Sequence, residues 1–172
     1  MKKIALILLA LMMVSLLCAC GDPATDNSTT TTAPSGVSTT PKGYLFTYND
    51  VQFGVDMTIE SVLTKLGEPK DKYTSESCAF GGNDTIYYYP SIQISTNDEY
   101  GYDRIYSIYL EDDLVSTEKG ISVGSTAEQV KEAYGEPGAN SADTVLIYEK
   151  DGMALSFNLE DGKVTSIRYD DK

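Results

Sequence analysis

Between Met153 and Leu159 the chain alternates: Met153, Leu155, Phe157 and Leu159 are apolar, and Ala154, Ser156 and Asn158 between them are small or polar. A period of two predicts a half-buried strand, and Asp151-Gly152 and Asp161-Gly162 on either side read as tight hairpin turns. Thr85 to Tyr89, Ile92 to Thr96 and Arg104 to Leu110 give the same order earlier in the chain, and Tyr44 to Phe53 is expected to supply a leading strand. Ile59, Val62, Leu63 and Leu66 instead fall at i, i+3, i+4 and i+7, the period of an amphipathic helix; Ala127, Val130 and Tyr134 repeat it more weakly. Thr58 and Thr126 stand where an N-cap is wanted, and Thr126 with Gln129 forms a capping-box pattern. Gly67 and Gly135 sit at the helix ends, and Pro69 and Pro137 prevent continuation.

These signals recur at a fixed offset of 68. Residues 54–69 and 122–137 share seven of sixteen identities, ending in Gly-Glu-Pro both times. A second echo aligns Arg104-Ile105-Tyr106-Ser107-Ile108 with Lys163-Val164-Thr165-Ser166-Ile167. The pattern therefore predicts an α+β fold of two tandem helix-plus-antiparallel-meander repeats, residues 43–115 and 116–172, with the helices packed on one face of the sheet or sheets.

The beginning of the chain follows other rules. Lys2 and Lys3 precede an uncharged apolar run from Ile4 to Leu17 that is shorter than the roughly 18 residues a membrane span needs, so residues 1–19 read as a signal peptide. Leu17-Cys18-Ala19-Cys20 resembles the bacterial lipobox, which makes Cys20 the expected lipidated N-terminus. Residues 20–42 then collapse to Thr, Ser, Pro, Ala and Gly and read as a disordered tether. A lipid-anchored domain on the extracytoplasmic face of a cell membrane is the expectation.

Charge narrows the partners. The whole chain carries a formal charge of -13; loss of residues 1–19 removes two lysines and no acid, leaving 11 basic against 26 acidic residues, or -15. Such a surface repels phosphate backbones, so no nucleic acid is expected, while a cationic partner is compatible with it. With Cys18 in the leader and Cys20 lipidated, Cys78 stands alone beside Ala79 and Phe80 and reads as a buried, inert thiol. The chain has no histidine, no cysteine pair, no phosphate-binding glycine loop and no nucleophile elbow, which argues against an enzyme. Residues 97–103 lack the acidic spacing of a calcium loop, and neither metal nor cofactor is expected.

The motif from Val-Gly-Ser-Thr-Ala-Glu-Gln-Val to Gly-Glu-Pro, with the strands after it, resembles the β-lactamase-inhibitor-protein-like superfamily over about residues 44–171; that superfamily includes small outer-membrane assembly lipoproteins. The resemblance implies tandem repeats whose sheets form a concave surface gripping an enzyme, with protruding hairpin loops entering its active site. This chain departs from the inhibitors in lacking their disulfides.

Alternation then assigns faces. Tyr106, Ile108 and Leu110 are expected to face the core with Thr165, Ile167 and Tyr169, leaving Ile105, Ser107, Tyr109, Val164, Ser166 and Arg168 outward. Tyr87 and Tyr89 join one face of the preceding strand, and Asn97 to Asp103 replaces the tight Glu160-Asp161-Gly162 turn with a longer acidic, aromatic loop. Tyrosine and arginine are enriched at interfaces because each joins large area to a polar handle. The candidate partner-binding set is thus Tyr87, Tyr89, Asp98, Tyr100, Tyr102, Tyr109 and Arg168, although tyrosine also serves as half-buried structural support and loops tolerate insertion. The expected function is a non-catalytic protein-binding module anchored at the envelope; a structural or assembly role in an envelope complex, and inhibition of a β-lactamase or envelope hydrolase, are the alternatives.

Overall fold

The computed structural model describes residues 40–172. The expected signal peptide, the lipidation site at Cys20 and nearly all of the tether lie outside the described residues. In chain order the elements are β1 (Phe46–Tyr48), β2 (Val51–Phe53), α1 (Ile59–Leu66), β3 (Asp71–Glu76), β4 (Asn83–Tyr89), β5 (Ile92–Asn97), β6 (Arg104–Leu110), α2 (Ala127–Tyr134), β7 (Val145–Lys150), β8 (Met153–Glu160) and β9 (Lys163–Asp171). Strands β1 and β2 form a separate hairpin; the other seven form one antiparallel sheet in the order β3-β4-β5-β6-β9-β8-β7.

The architecture corrects the α+β expectation. Among the described residues 44% are strand and 12% helix, so the fold is mainly β. Instead of two helix-plus-meander units there is one continuous sheet, joined where β6 pairs with β9 from Ser107↔Asp170 to Leu110↔Ile167. Two physical reasons account for this. Each helix is stopped after eight residues, because Gly67 (φ 78) and Gly135 (φ 86) take up left-handed conformations and a proline follows two residues later. A fourth strand, β3, also follows α1, and the leading strand expected at Tyr44 to Phe53 is a hairpin, since Asn49 and Asp50 both adopt positive φ (49 and 63) and turn the chain back.

Local signals still place the helices. Thr126 accepts a hydrogen bond from Gln129 N while the Gln129 side chain accepts one from Thr126 N, completing the capping box. Thr58 is extended and makes no side-chain cap. Its start is held differently: Asp56 N donates to Ile105 O, Ile105 N to Met57 O and Ile59 N to Asp103 O, docking the approach to α1 on β6. The approach to α2 is docked on β9 through Gly124 N to Val164 O and Val164 N to Ser125 O. The far ends are latched as well, Tyr89 Oη donating to Gly67 O (2.6 Å) and Tyr148 Oη to Gly135 O (3.0 Å), so both tyrosines satisfy carbonyls that a terminating helix leaves open.

All of this lies on one side of the sheet. Ile59, Val62 and Val130 from the helices and Phe46 and Phe53 from the hairpin pack with Ile94, Ile108, Leu155, Phe157, Ile167 and Tyr169 from the strands in one buried cluster. Each such side chain contributes roughly 1.5–3 kcal/mol through burial. Among the described residues the opposite face carries no comparable cover: its positions in β4, β5, β7 and β8 stay partly exposed between buried neighbours.

Candidate functional site

The open face is built by alternation. In β4, Thr85, Tyr87 and Tyr89 are buried and Ile86 and Tyr88 point the other way. The strand register carries that parity across the sheet, so Tyr88, Gln93, Tyr109, Arg168, Ser156 and Ile147 form one transverse row. A neighbouring row runs Tyr73, Ile86, Ser95, Ser107, Asp170 and Ala154. Two bulges then alter the faces read from the sequence. The register shifts between Ser95 and Thr96 opposite β6, which buries Ile105 completely and leaves Tyr106 on the open face. A shift between Asn158 and Leu159 likewise buries Val164 and exposes Thr165. The expected core positions of Tyr106 and Thr165, and outward positions of Ile105 and Val164, are therefore reversed, because one extra residue in a strand inverts the parity beyond it. Ile108, Leu110, Ile167 and Tyr169 face the core as expected.

The β3 end of this face is aromatic. Phe80, in the turn after β3, lies 5.4 Å from the Tyr106 ring, and Tyr73 stands beside Ile86 across β3 and β4. Tyr73 and Phe80 remain 60% and 43% exposed, values well above those of the buried cluster. Tyr88 and Tyr109 continue the patch at half-burial. Cys78 is in the same turn and is exposed, which corrects the buried thiol expected there: residues 78–80 form a tip and do not reach the core.

Arg168 occupies the middle of the face, where β9 meets β6. Its Nη2 donates to Asp170 Oδ1 (2.8 Å) and to Ser107 Oγ (3.4 Å), and Ser107 Oγ donates to the same Asp170 oxygen (2.7 Å). Gln93, Ser95, Ser107, Tyr109 and Arg168 line a shallow depression of about 250 Å³. The guanidinium is thus held by one carboxylate and still nearly half exposed, an arrangement that lets it accept a second polar partner.

The other candidate residues divide among three environments. Tyr87 and Tyr89 are buried on the covered face; Tyr87 Oη donates to Asp103 Oδ2 (3.3 Å), and burial together with the Asp103 carboxylate pushes its phenol up to about 12. Asp98 fastens two turns together, its carboxylate accepting from Asn83 N (2.6 Å) and Asn83 Nδ2 (3.0 Å), which holds its pKa below the ordinary value. Gly82 (φ 71) lies against it so closely that a Cβ there would collide with the Asp98 carboxylate. Tyr100 is 64% exposed, its ring 5.8 Å from the Arg104 guanidinium, and Tyr102 is half-buried nearby.

Beneath Tyr100 lies a charge network. Lys42 Nζ is 3.1 Å from Asp56 Oδ2 and 3.8 Å from Asp171 Oδ1, and Arg104 Nη1 bonds Asp56 Oδ1 (3.3 Å) and Asp171 Oδ2. Burial works against the charged guanidinium, but the two carboxylates outweigh it and raise Arg104 above its ordinary value. The network ties residue 42 to the sheet end that carries the 98–103 loop. Of the seven candidates, then, Tyr109 and Arg168 share the open face, Tyr100 and Tyr102 rim the charge network, and Tyr87, Tyr89 and Asp98 hold the fold in place.

Sequence reasoning missed Tyr73, Phe80, Ile86 and Tyr88. The run Ile86-Tyr87-Tyr88-Tyr89 is apolar on both faces, so alternation there carries no signal. No protein-family model, curated protein or solved structure matches this chain.

Proposed function

We propose that the chain is a non-catalytic, envelope-anchored module that binds a partner protein on the open face of its sheet. One observation carries this reading: among the described residues a seven-stranded sheet is covered on one side only, and its other side holds an aromatic patch beside a half-exposed arginine. Exposed aromatic area rimmed by polar groups marks interaction surfaces, and tyrosine and arginine supply the largest truncation costs at such surfaces. The anchor rests on the lipobox-like Leu17 to Cys20, and the tether gives the domain reach from the membrane. The resemblance to the inhibitor superfamily supports the same use of a sheet surface.

The test compares the full chain with a Tyr88→Ala, Tyr106→Ala, Tyr109→Ala variant in cross-linking from the organism's own envelope. These side chains sit outside the buried cluster, so folding should persist; a partner lost in the variant supports the face, and a partner retained unchanged refutes it. Incorporation of labelled palmitate that persists in Cys20→Ser would remove the anchor.

A further inference from the structure

The two outermost strands of the sheet are finished differently. Along β7 the edge is closed: Gly138 N donates to Ile147 O (2.8 Å), Ile147 N donates to Ser141 Oγ (2.8 Å), and Ala142 bridges to Val145. Along β3 all six residues, Asp71 to Glu76, are exposed, and among the described residues β4 is the strand's one neighbour in the sheet. The bond from Ser77 N to Gly82 O continues the β3–β4 ladder and fixes its phase. Asp71, Tyr73 and Ser75 therefore exchange backbone bonds with β4, while Lys72, Thr74 and Glu76 turn their N–H and C=O groups outward. The close approach of Thr74 Oγ1 to Thr85 Oγ1 (3.0 Å) fits the narrow, non-bonded pair this phase requires. The Lys72 N–H is covered by its neighbour's carboxylate, Asp71 Oδ1 (2.8 Å), which among the described residues leaves the N–H groups of Thr74 and Glu76 and three carbonyls along the rim.

We infer that this rim accepts an extended, cationic segment of a partner protein as an eighth strand. The proposal rests on the protein-binding reading and gives it a second, separate contact. Unsatisfied strand edges are templates for main-chain pairing, and alternate side chains of an added strand supply selectivity. Here one set would continue the row begun by Tyr73, covering a ring now 60% exposed. Charge selects the class of segment. Asp71 and Glu76 flank the rim, Asp84 lies behind Ser75, and the Lys72 ammonium is drawn away over the Tyr87 ring at 5.0 Å. Acidic residues outnumber basic ones by more than two to one over residues 40–172, which attracts a basic strand and repels a second copy of this chain.

The experiment uses the full chain in neutral detergent micelles with three synthetic decapeptides: alternating lysine and valine, alternating glutamate and valine, and the lysine peptide broken by a central proline. The lysine peptide is expected to slow hydrogen exchange at the Thr74 and Glu76 amides and to bind about tenfold more tightly than the other two. Thr74→Pro removes an outward N–H that the β3–β4 ladder does not use, and should weaken binding by about tenfold with the circular dichroism unchanged. If that variant unfolds, Asp71→Lys with Glu76→Lys replaces it and should favour the glutamate peptide. Tyr88→Ala with Tyr109→Ala should leave peptide affinity within about twofold, since main-chain pairing at β3 does not use them. Equal binding of the acidic peptide, unaltered exchange at Thr74 and Glu76, or protection of those amides by self-association without peptide each overturns the inference. Loss of the envelope partner in the face variant alongside such a failure would leave the face reading intact.

Discussion

Tyr169→Phe should make this protein more stable. Tyr169 is fully buried on β9, its ring 5.8 Å from that of Phe46, and its hydroxyl has no hydrogen-bond partner among the described residues. A buried hydroxyl left unpaired costs roughly 1–3 kcal/mol. Phenylalanine keeps the ring and removes one oxygen, and the small gap left behind costs only a few tenths of a kcal/mol at about 24 cal/mol per Å³. The net expectation is a gain of roughly 1–2 kcal/mol, or a urea midpoint higher by about 0.5–1 M for a slope near 2 kcal/mol/M. Equilibrium unfolding followed by circular dichroism measures it. Alkaline pH adds a second readout, because burial raises this phenol well above 10.0 and the folded state keeps its proton after the unfolded chain has lost it. That contribution is complete below pH 10 and declines as pH rises toward the folded value, so the advantage of Tyr169→Phe should widen above pH 10. A lower urea midpoint for the variant would show that the hydroxyl has a partner and would refute the reasoning.

The helix latches should behave oppositely: Tyr89→Phe and Tyr148→Phe each strand a helix-end carbonyl and should lower stability by about 1 kcal/mol in the same assay. Arg104→Ala leaves Asp56 and Asp171 facing each other with Lys42 alone, at a site where the arginine side chain is 14% exposed, and should cost roughly 2–4 kcal/mol. Asp98 is held ionised by Asn83, so its tie between the two turns is complete above the ordinary carboxylate pKa and weakens as pH falls through its lowered value. Amide exchange at Asn83 should quicken under acid, and Asp98→Ala should show that faster exchange already at neutral pH. The Cys78 thiol should react with a maleimide in the native protein, with that adduct absent in Cys78→Ser.

What the sequence discloses about this fold is what local chemistry controls. Thr126 with Gln129 located one helix start, Gly67 and Gly135 located both ends, and Asp151-Gly152 and Asp161-Gly162 are hairpin turns with positive φ at all four residues. The long-range part was hidden. Strand β3 reads Asp-Lys-Tyr-Thr-Ser-Glu, with no alternation, because both of its faces are exposed and only pairing with β4 makes it a strand. The bulges at Tyr106 and Thr165 leave no mark in composition, yet they decide which side those two residues occupy. Nor does a periodic pattern say that β6 and β9 will meet, and that one pairing turns two expected units into a single sheet. The site followed the same division: Tyr109 and Arg168 lie beyond neither bulge and fell on the face expected of them, whereas Tyr87 and Tyr89 sit in a run too apolar for its parity to be read.

The position of β9 bears on how the molecule assembles. Of the described strands it comes last in chain order, yet it lies between β6 and β8. A chain made from its N-terminus can form the β3 to β6 meander and the β7–β8 hairpin while both still present bare inner margins, and only the arrival of residues 163–171 zips them together. Because contacts between distant segments must wait for their loops to close, this step should set the folding rate. Until then, two sticky half-sheets coexist, and any delay to the nine residues of β9 is an opening for a chaperone or for aggregation.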